Sequence, residues 1–473
     1  MTPEGDDGLV LVWPEGAEFD KQASILEREK PNLEAELGTS VRVVRSDPGR
    51  GRRWVCRVEP GLGAPPLIRS TGEVIESVGR TPDELWSTFS LRHTWLRLGA
   101  GEVRADAATD LDEAAARIAD EVGFSFPGFA LRSIDWPRIC ADHWPRVLAA
   151  EDPLAACQEW VAMLQDGHTA VHPEPRPVPL PYVSAVRGRT ARLLRVPEGT
   201  PAWDAGIRPG WLLSVGDAGA VARRTAAPPH LHPFASGRRL LSFPAGKPVV
   251  LEASAPDGRR VTWSERPTPE GFGDLVSWRR LPSGVAYVVV RHWKAGAGVE
   301  EALDAALAEL ARCSGLVLDL RGNVGGNHLL ALSARDRFLR TETTLGTVRY
   351  SIGRGLSEPV PIIGTPAPAA RRWPGRLVVL TDPLTYSASE DFLLGLAGLE
   401  HVRVVGERSG GGSGRPRTVQ LLPGWQLTIS TALTYDRSGH CVEGAGIPVD
   451  VEVPAFDTAP HDRILATAEA LIG

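Results

Sequence analysis

Ser387 stands where a chain can do nucleophilic chemistry. It lies in Leu377–Arg415, LVVLTDPLTYSASEDFLLGLAGLEHVRVVGERSGGGSGR. Apolar Leu377–Leu380 reads as a buried strand, Asp382-Pro383 breaks it, and Phe392–Leu399 has helical spacing. A second strand, Val402–Val405, leads into a glycine-rich loop. A serine at a strand-to-helix junction exposes its oxygen, and the free N–H groups of the helix start favour negative charge there. The plainer reading is a cap, since Ser387…Glu390 fits the S-x-x-E capping box. Ser389, two residues on, is a competing nucleophile, but inside the helix it is expected to face the turn or solvent.

A nucleophilic serine needs a base. The helical run Pro153–Leu164 ends in Gln165-Asp166-Gly167-His168-Thr169-Ala170-Val171-His172, with Gly167 read as a helix stop that leaves His168 on a corner. His168 and His172 are four apart, the spacing of a metal site on a helix. Thr169 replaces the glutamate of H-E-x-x-H, however, and in an extended segment residues four apart do not converge. A packing histidine and a general base carried to a serine by the fold both stay open. A third motif, Arg321-Gly322-Asn323-Val324-Gly325-Gly326-Asn327, lacks the P-loop lysine and the dinucleotide spacing, which speaks against phosphate binding. Its glycines allow backbone N–H groups to approach a ligand closely, as an oxyanion hole requires.

The elements that must position these residues belong to a long chain. Its 473 residues exceed one ordinary core, and 42% hydrophobic with 23% charged residues describe a soluble globular protein. A net charge of −6 gives no reason to expect nucleic acid, and no apolar run is long enough to span a membrane. The start, MTPEGDDGLVLVWPEG, is acidic, and its apolar stretch is too short for a secretory signal. Five scattered cysteines, Cys56, Cys140, Cys157, Cys313 and Cys441, form no C-x-x-C pair, so a reduced, cytoplasmic compartment is expected.

Read in order, residues 1–105 form a small α+β domain of unassigned role. Its strands are Leu9–Trp13, Ser40–Arg45 and Trp54–Val58, with a helix over Gln22–Leu37 and a loop at Pro60–Pro66. Residues 106–180 are a helical segment, with helices over Glu113–Val122, from Asp135, and over Pro153–Leu164. Residues 181–268 turn to strands, Arg192–Val196 and a hairpin of Val249–Ala253 with Arg260–Trp263. Residues 269–473 alternate strand and helix: Gly284–His292, Val299–Arg312, Gly315–Leu320, then the Ser387 region and a final helix, Asp462–Leu471. The expected class is α/β.

Several separated stretches match one family in the right order: DGHT at Asp166–Thr169, LVLDLRGNVGG, TYSASE, VVGERSGGGSG and GAGIPVDVEV. Between the first two, Pro197–Asp217 (PEGTPAWDAGIRPGWLLSVGD) resembles a PDZ domain of the bacterial protease type, with Trp211 where an aspartate is usual. Together they resemble the C-terminal-processing and tricorn-type serine peptidases, over roughly residues 106–460. The resemblance implies a crotonase-like (ClpP-like) α/β core carrying a PDZ-like domain, and peptide hydrolysis through an acyl-enzyme without metal or other cofactor. One branch of that family uses a Ser–Lys dyad, but Gly412 stands at the lysine position and no lysine follows Lys294. The tricorn-like branch recruits a histidine at the DGHT position, which here is His168. The resemblance thus casts Ser387 as nucleophile, His168 as general base and Glu443 as the acid of a triad. It places the oxyanion donors at the backbone N–H of Ala388 and of Gly325 or Gly326. Asp319, Arg321 and Asn323 are expected to shape their turn.

The expected partner is a peptide or unfolded protein, held by its C-terminus at the PDZ-like domain; no nucleic acid or membrane partner is expected, and an oligomer is allowed. Two other functions use the same residues. One is a non-catalytic peptide- or ligand-binding protein, for which Gly412 in place of lysine is also suited; the other is a hydrolase of a small biosynthetic substrate.

Overall fold

The structure is a computed structural model, in which residues 8–63, 66–98, 101–268, 274–353, 355–456 and 461–473 are described. The acidic start at 1–7 and residues 64–65 of the expected Pro60–Pro66 loop lie outside them. The chain is mixed α/β and divides into two compact units.

The first unit comprises the chain up to Cys157 with the returning segments Val348–Val360 and Arg415–Ala432. Its main sheet has six strands in the order 41–44, 9–12, 53–58, 74–79, 67–71 and 102–104. Helices Ala17–Leu37 and Pro82–Leu98 accompany it, and Trp13, Trp54, Leu85 and Phe89 are buried in its core. The hairpin of Arg417–Gln420 and Trp425–Ile429 belongs to this unit and contributes a buried ion pair, Arg417 with Glu121 of helix Leu111–Ser125. Ser125 Oγ accepts a further bond from Arg417 Nη2 at 2.8 Å, so the guanidinium is not left with one partner.

The second unit holds Gln158–Thr347, Pro361–Gly414 and Leu433–Gly473. One sheet orders its strands 260–265, 249–254, 212–213, 190–195 and 183–187, all antiparallel, around buried Leu193, Ile207, Trp211 and Trp263. Helix His232–Leu240 lies directly on Val183–Arg187, since a methyl added to Gly237 would overlap the Ser184 carbonyl.

A second sheet runs 276–280, 286–290, 316–319, 377–381, 402–406 and 451–452. From 286–290 onward every neighbouring pair is parallel. Leu316–Asp319 and Leu377–Thr381 are buried at every position, which explains their unbroken apolar runs. Helix Arg463–Ile472, capped by Asp462 at the Leu465 N–H (3.0 Å), turns Ile464, Ala468 and Ile472 into this core. In a parallel sheet all strand C-terminal ends fall on one edge. The turns after residues 290, 319, 381 and 406 therefore emerge together, as at the crevices where open α/β sheets bind ligands.

Two of those turns are joined by hydrogen bonds. Asp382 Oδ1 accepts from Gly322 N–H (2.9 Å) and Leu384 N–H (3.0 Å), and Tyr386 N–H donates to the Asn323 carbonyl (3.0 Å). The glycine-rich turn after 402–406 is held by Glu390, a fully buried residue of helix Ala388–Leu394. Its carboxylate accepts from Ser387 N–H (3.1 Å), Ser409 Oγ (2.5 Å), Gly411 N–H (2.8 Å) and Gly412 N–H (2.8 Å). Replacing Glu390 by Gln puts an NH2 group against part of this donor set. We expect Glu390→Gln to lower the unfolding free energy by about 2–4 kcal/mol, read from the denaturation midpoint. An unchanged midpoint would contradict the assigned bonds.

Candidate active site

Ser387 is the residue between strand Leu377–Thr381 and helix Ala388–Leu394. Its backbone, at φ 59° and ψ −123°, lies in a region that non-glycine residues seldom enter and that costs roughly 1–3 kcal/mol. The bonds of Tyr386 N–H to Asn323 and of Ser387 N–H to Glu390 hold it there. The Glu390 half of the expected capping box is formed, its carboxylate accepting from Ser387 N–H at 3.1 Å. Glu390 N–H nevertheless makes its 2.7 Å bond to the Ser387 backbone carbonyl, and Ser387 Oγ turns to His168.

His168 Nε2 lies 2.8 Å from Ser387 Oγ, across a sequence separation of 219 residues. Asp166 sets the histidine's backbone, its Oδ1 accepting from His168 N–H (2.9 Å) and Thr169 N–H (2.8 Å). The expected helix over Pro153–Leu164 ends at Ala162, and Gln165, at φ 51°, takes the left-handed conformation that Gly167 was expected to supply. Gly167 is needed for a different reason: a Cβ there would lie 2.5 Å from the hydroxyl of Tyr386. His172 is carried away on strand Ala170–Pro173.

The other side of the imidazole meets Tyr386. The phenol oxygen is 3.3 Å from His168 Nδ1, and the rings stack with centroids 4.7 Å apart at 26°. Tyr386 was not singled out from the sequence, because a tyrosine beside a candidate serine has no spacing that marks it. Glu443 makes no hydrogen bond to His168; its Oε1 accepts from Ser413 N–H at 2.7 Å. Ser413 Oγ donates to Asp391. Asp166 and Asp391 are within electrostatic reach of His168, and Asp166, Glu443 and Glu390 of Tyr386.

Burial dominates the titration of this group. It lowers the His168 pKa below that of an ordinary histidine, against the opposing charges of Asp166 and Asp391, so the ring is neutral at pH 7. Burial, with the charge of Asp166, raises Glu443 well above the usual carboxylate range, and burial pushes Glu390 up to about 7 against its four donors.

The glycine turn reaches Ser387. Gly325, at φ 103°, leaves no room for a side chain, since a Cβ there would lie 2.7 Å from Ser387 Cβ and 2.9 Å from Ala388 N. Its own N–H is engaged by Asn323 Oδ1 at 3.0 Å. The N–H groups of Ala388 and Gly326 have no protein acceptor among the described residues. Asn323 Nδ2 donates to the Val290 carbonyl (2.9 Å), and Arg321 pairs with Asp319 and Asp462 at 2.6 and 2.8 Å, so these residues shape the turn. Ser389 is a correction. It is fully buried and accepts a 3.0 Å bond from Trp293 Nε1, because the helix packs that face against the core and not toward solvent.

Residues 284–453 match Peptidase family S41. No curated protein matches the sequence. The photosystem II D1 C-terminal processing protease is similar in structure, with TM-score 0.51 and 19% identity over 77% of this chain and 98% of that one. Mature CPAF is similar at TM-score 0.55 and 14% identity, covering 72% of this chain and 92% of that one. At such identities the structural likeness speaks for the fold alone, and the likeness to the family rests on the sequence match of residues 284–453. It is residues 284–453, and not the chain as a whole, that carry the likeness to Peptidase family S41.

Proposed function

We propose that the protein is a serine endopeptidase of the tricorn-like histidine type, with Ser387 as nucleophile and His168 as general base. The observation that carries this reading is the 2.8 Å contact of Ser387 Oγ with His168 Nε2. A neutral imidazole takes the Oγ proton as Oγ attacks the scissile carbonyl carbon. The oxyanion of the tetrahedral intermediate faces the N–H groups of Ala388 and Gly326, the Gly325 N–H being engaged by Asn323. Collapse breaks the C–N bond, and the leaving amine takes the proton from Nε2. Water, deprotonated by the same nitrogen, then hydrolyses the acyl-enzyme and restores Ser387. Every atom and proton in this cycle is supplied by the chain, the peptide and water.

Residues 269–473 are read as the crotonase-like catalytic core, 181–268 as a PDZ-like module, 106–180 as the segment delivering His168, and 1–105 as an accessory domain. The substrate is a peptide or unfolded protein. A cavity of about 690 Å³, lined among others by Ser184, Thr200, Arg238, Gly322 and Leu384, lies between the PDZ-like sheet and the Arg321–Gly326 turn. An extended chain bound in it would lie along that module beside Arg321 and Gly322. A reduced, cytoplasmic location agrees with five free cysteines. No helix of the described residues is long and apolar enough to cross a membrane.

Incubation with a proteome-derived peptide pool, read by mass spectrometry, tests the activity. Ser387→Ala and His168→Ala are each expected to lose at least about a thousandfold in turnover, and the double variant no more than either, because the two act as one unit. Full turnover by Ser387→Ala would end this assignment. The pH dependence follows from the burial of His168. Its lowered pKa places the acidic limb of kcat/KM below the ordinary histidine value of about 6.5, with a plateau through neutral pH. A limb above 7 would show that another group is the base.

A further inference from the structure

In a Ser–His–acid arrangement a carboxylate accepts the Nδ1 proton and holds the ring in the tautomer that leaves Nε2 free. Among the described residues no carboxylate bonds Nδ1, and its partner is Tyr386 Oη. We propose that Tyr386 is the positioning residue of the His168 imidazole, holding it by its phenol oxygen and ring face where such sites use a carboxylate. This rests on the Ser387–His168 reading.

Three observations support it. The first is the double hold: the 3.3 Å approach to Nδ1 fixes one end of the imidazole, and the stacking at 4.7 Å and 26° fixes its plane. An exposed loop would leave that ring free to turn, and only one orientation points Nε2 at Ser387.

The second is that the tyrosine is itself socketed by absent side chains. A Cβ at Gly410 would lie 2.7 Å from Tyr386 Cδ2, and one at Gly167 would lie 2.5 Å from Oη. A Cβ at Gly412 would overlap both Oη and Cζ. The Tyr386 ring and any side chain at 412 therefore exclude each other. The base has to come from elsewhere, and the ring that closes the 412 position is the same ring that holds the histidine.

The third is the charge around the phenol. Burial raises the Tyr386 pKa well above that of an ordinary tyrosine, and the charge of Asp166 adds to it, so the phenol keeps its proton. A phenol that keeps its proton can accept the Nδ1 hydrogen at its oxygen, and in that arrangement the ring is held in the tautomer that leaves Nε2 free. The cation formed on His168 is then balanced at longer range by Asp166 and Asp391, and not by a direct ion pair. Tyr386 also precedes Ser387, so one dipeptide carries the nucleophile and the holder of its base.

Tyr386→Phe keeps the ring and removes the oxygen. Full-length protein with ¹⁵N-labelled histidine, the His168 signal identified by its loss in His168→Gln, reports the tautomer without requiring turnover. The expected wild-type spectrum is the Nδ1–H form, with Nε2 unprotonated. In Tyr386→Phe it becomes a tautomer mixture, and kcat/KM on the peptide pool falls roughly 10- to 100-fold through kcat, with a displaced acidic limb. Gly412→Ala, which crowds the ring but keeps the hydroxyl, is expected to shift the tautomer in the same way. An unchanged His168 spectrum in both variants, or full kcat with an unmoved pH profile in Tyr386→Phe, would overturn the proposal. A wild-type protein that cleaves nothing would instead remove the peptidase reading, and the spectrum would still decide the role of Tyr386.

Discussion

The buried carboxylate of Glu390 is the interaction on which the candidate site depends. A carboxylate taken out of water is costly unless its oxygens are satisfied, and here four donors meet two oxygens. Those donors come from both sides of the site: Ser387 at the helix start, and Ser409, Gly411 and Gly412 of the glycine-rich turn. The bond to Ser387 N–H helps to keep that residue at a positive φ, with Oγ directed away from its own helix. The bonds to Gly411 and Gly412 fix the turn against which the Tyr386 ring packs. One acid thus ties the placement of Ser387 to that of the wall behind His168.

The parallel sheet supplies the coarse placement and the short turns supply the fine one. Strand ends bring the Arg321–Gly326 and Asp382–Ser387 turns to one edge, and the bonds Asp382–Gly322 and Tyr386–Asn323 bind them to each other. His168 arrives from outside that sheet, positioned by an Asp166 turn on its backbone and by Tyr386 on its ring. A histidine brought from a distant segment is harder to hold than a neighbour on the same turn. The stacked tyrosine answers that difficulty at the cost of every side chain at 167, 410 and 412.

What could be read from the sequence follows the physics of each feature. Leu316–Asp319 and Leu377–Thr381 announce themselves as buried strands by unbroken apolar runs, and Ser387 by its position between strand and helix. His168 came forward through an ordered set of weak motifs, each uninformative alone. The strands Thr343–Tyr350, Arg417–Gln420, Trp425–Ile429 and Ala432–Asp436 were not anticipated, because their alternation is broken by polar and charged residues that find buried partners. Arg417 is one of them, and its pairing with Glu121 nearly 300 positions away has no local trace. The contact of Glu443 with Ser413, the burial of Ser389 against Trp293 and the stacking of Tyr386 on His168 are likewise set by tertiary packing. The glycines at 167, 410 and 412 read as punctuation, whereas in the fold they are the room that one aromatic ring requires.

The central claim is that Ser387 is a nucleophile activated by His168. Its most direct measurement is the location of a fluorophosphonate adduct by peptide mapping, in the intact protein and in His168→Ala. The account predicts a single adduct on Ser387 that is lost, or forms far more slowly, without the histidine. An adduct on another serine, or labelling of Ser387 at the same rate when His168 is removed, would contradict it.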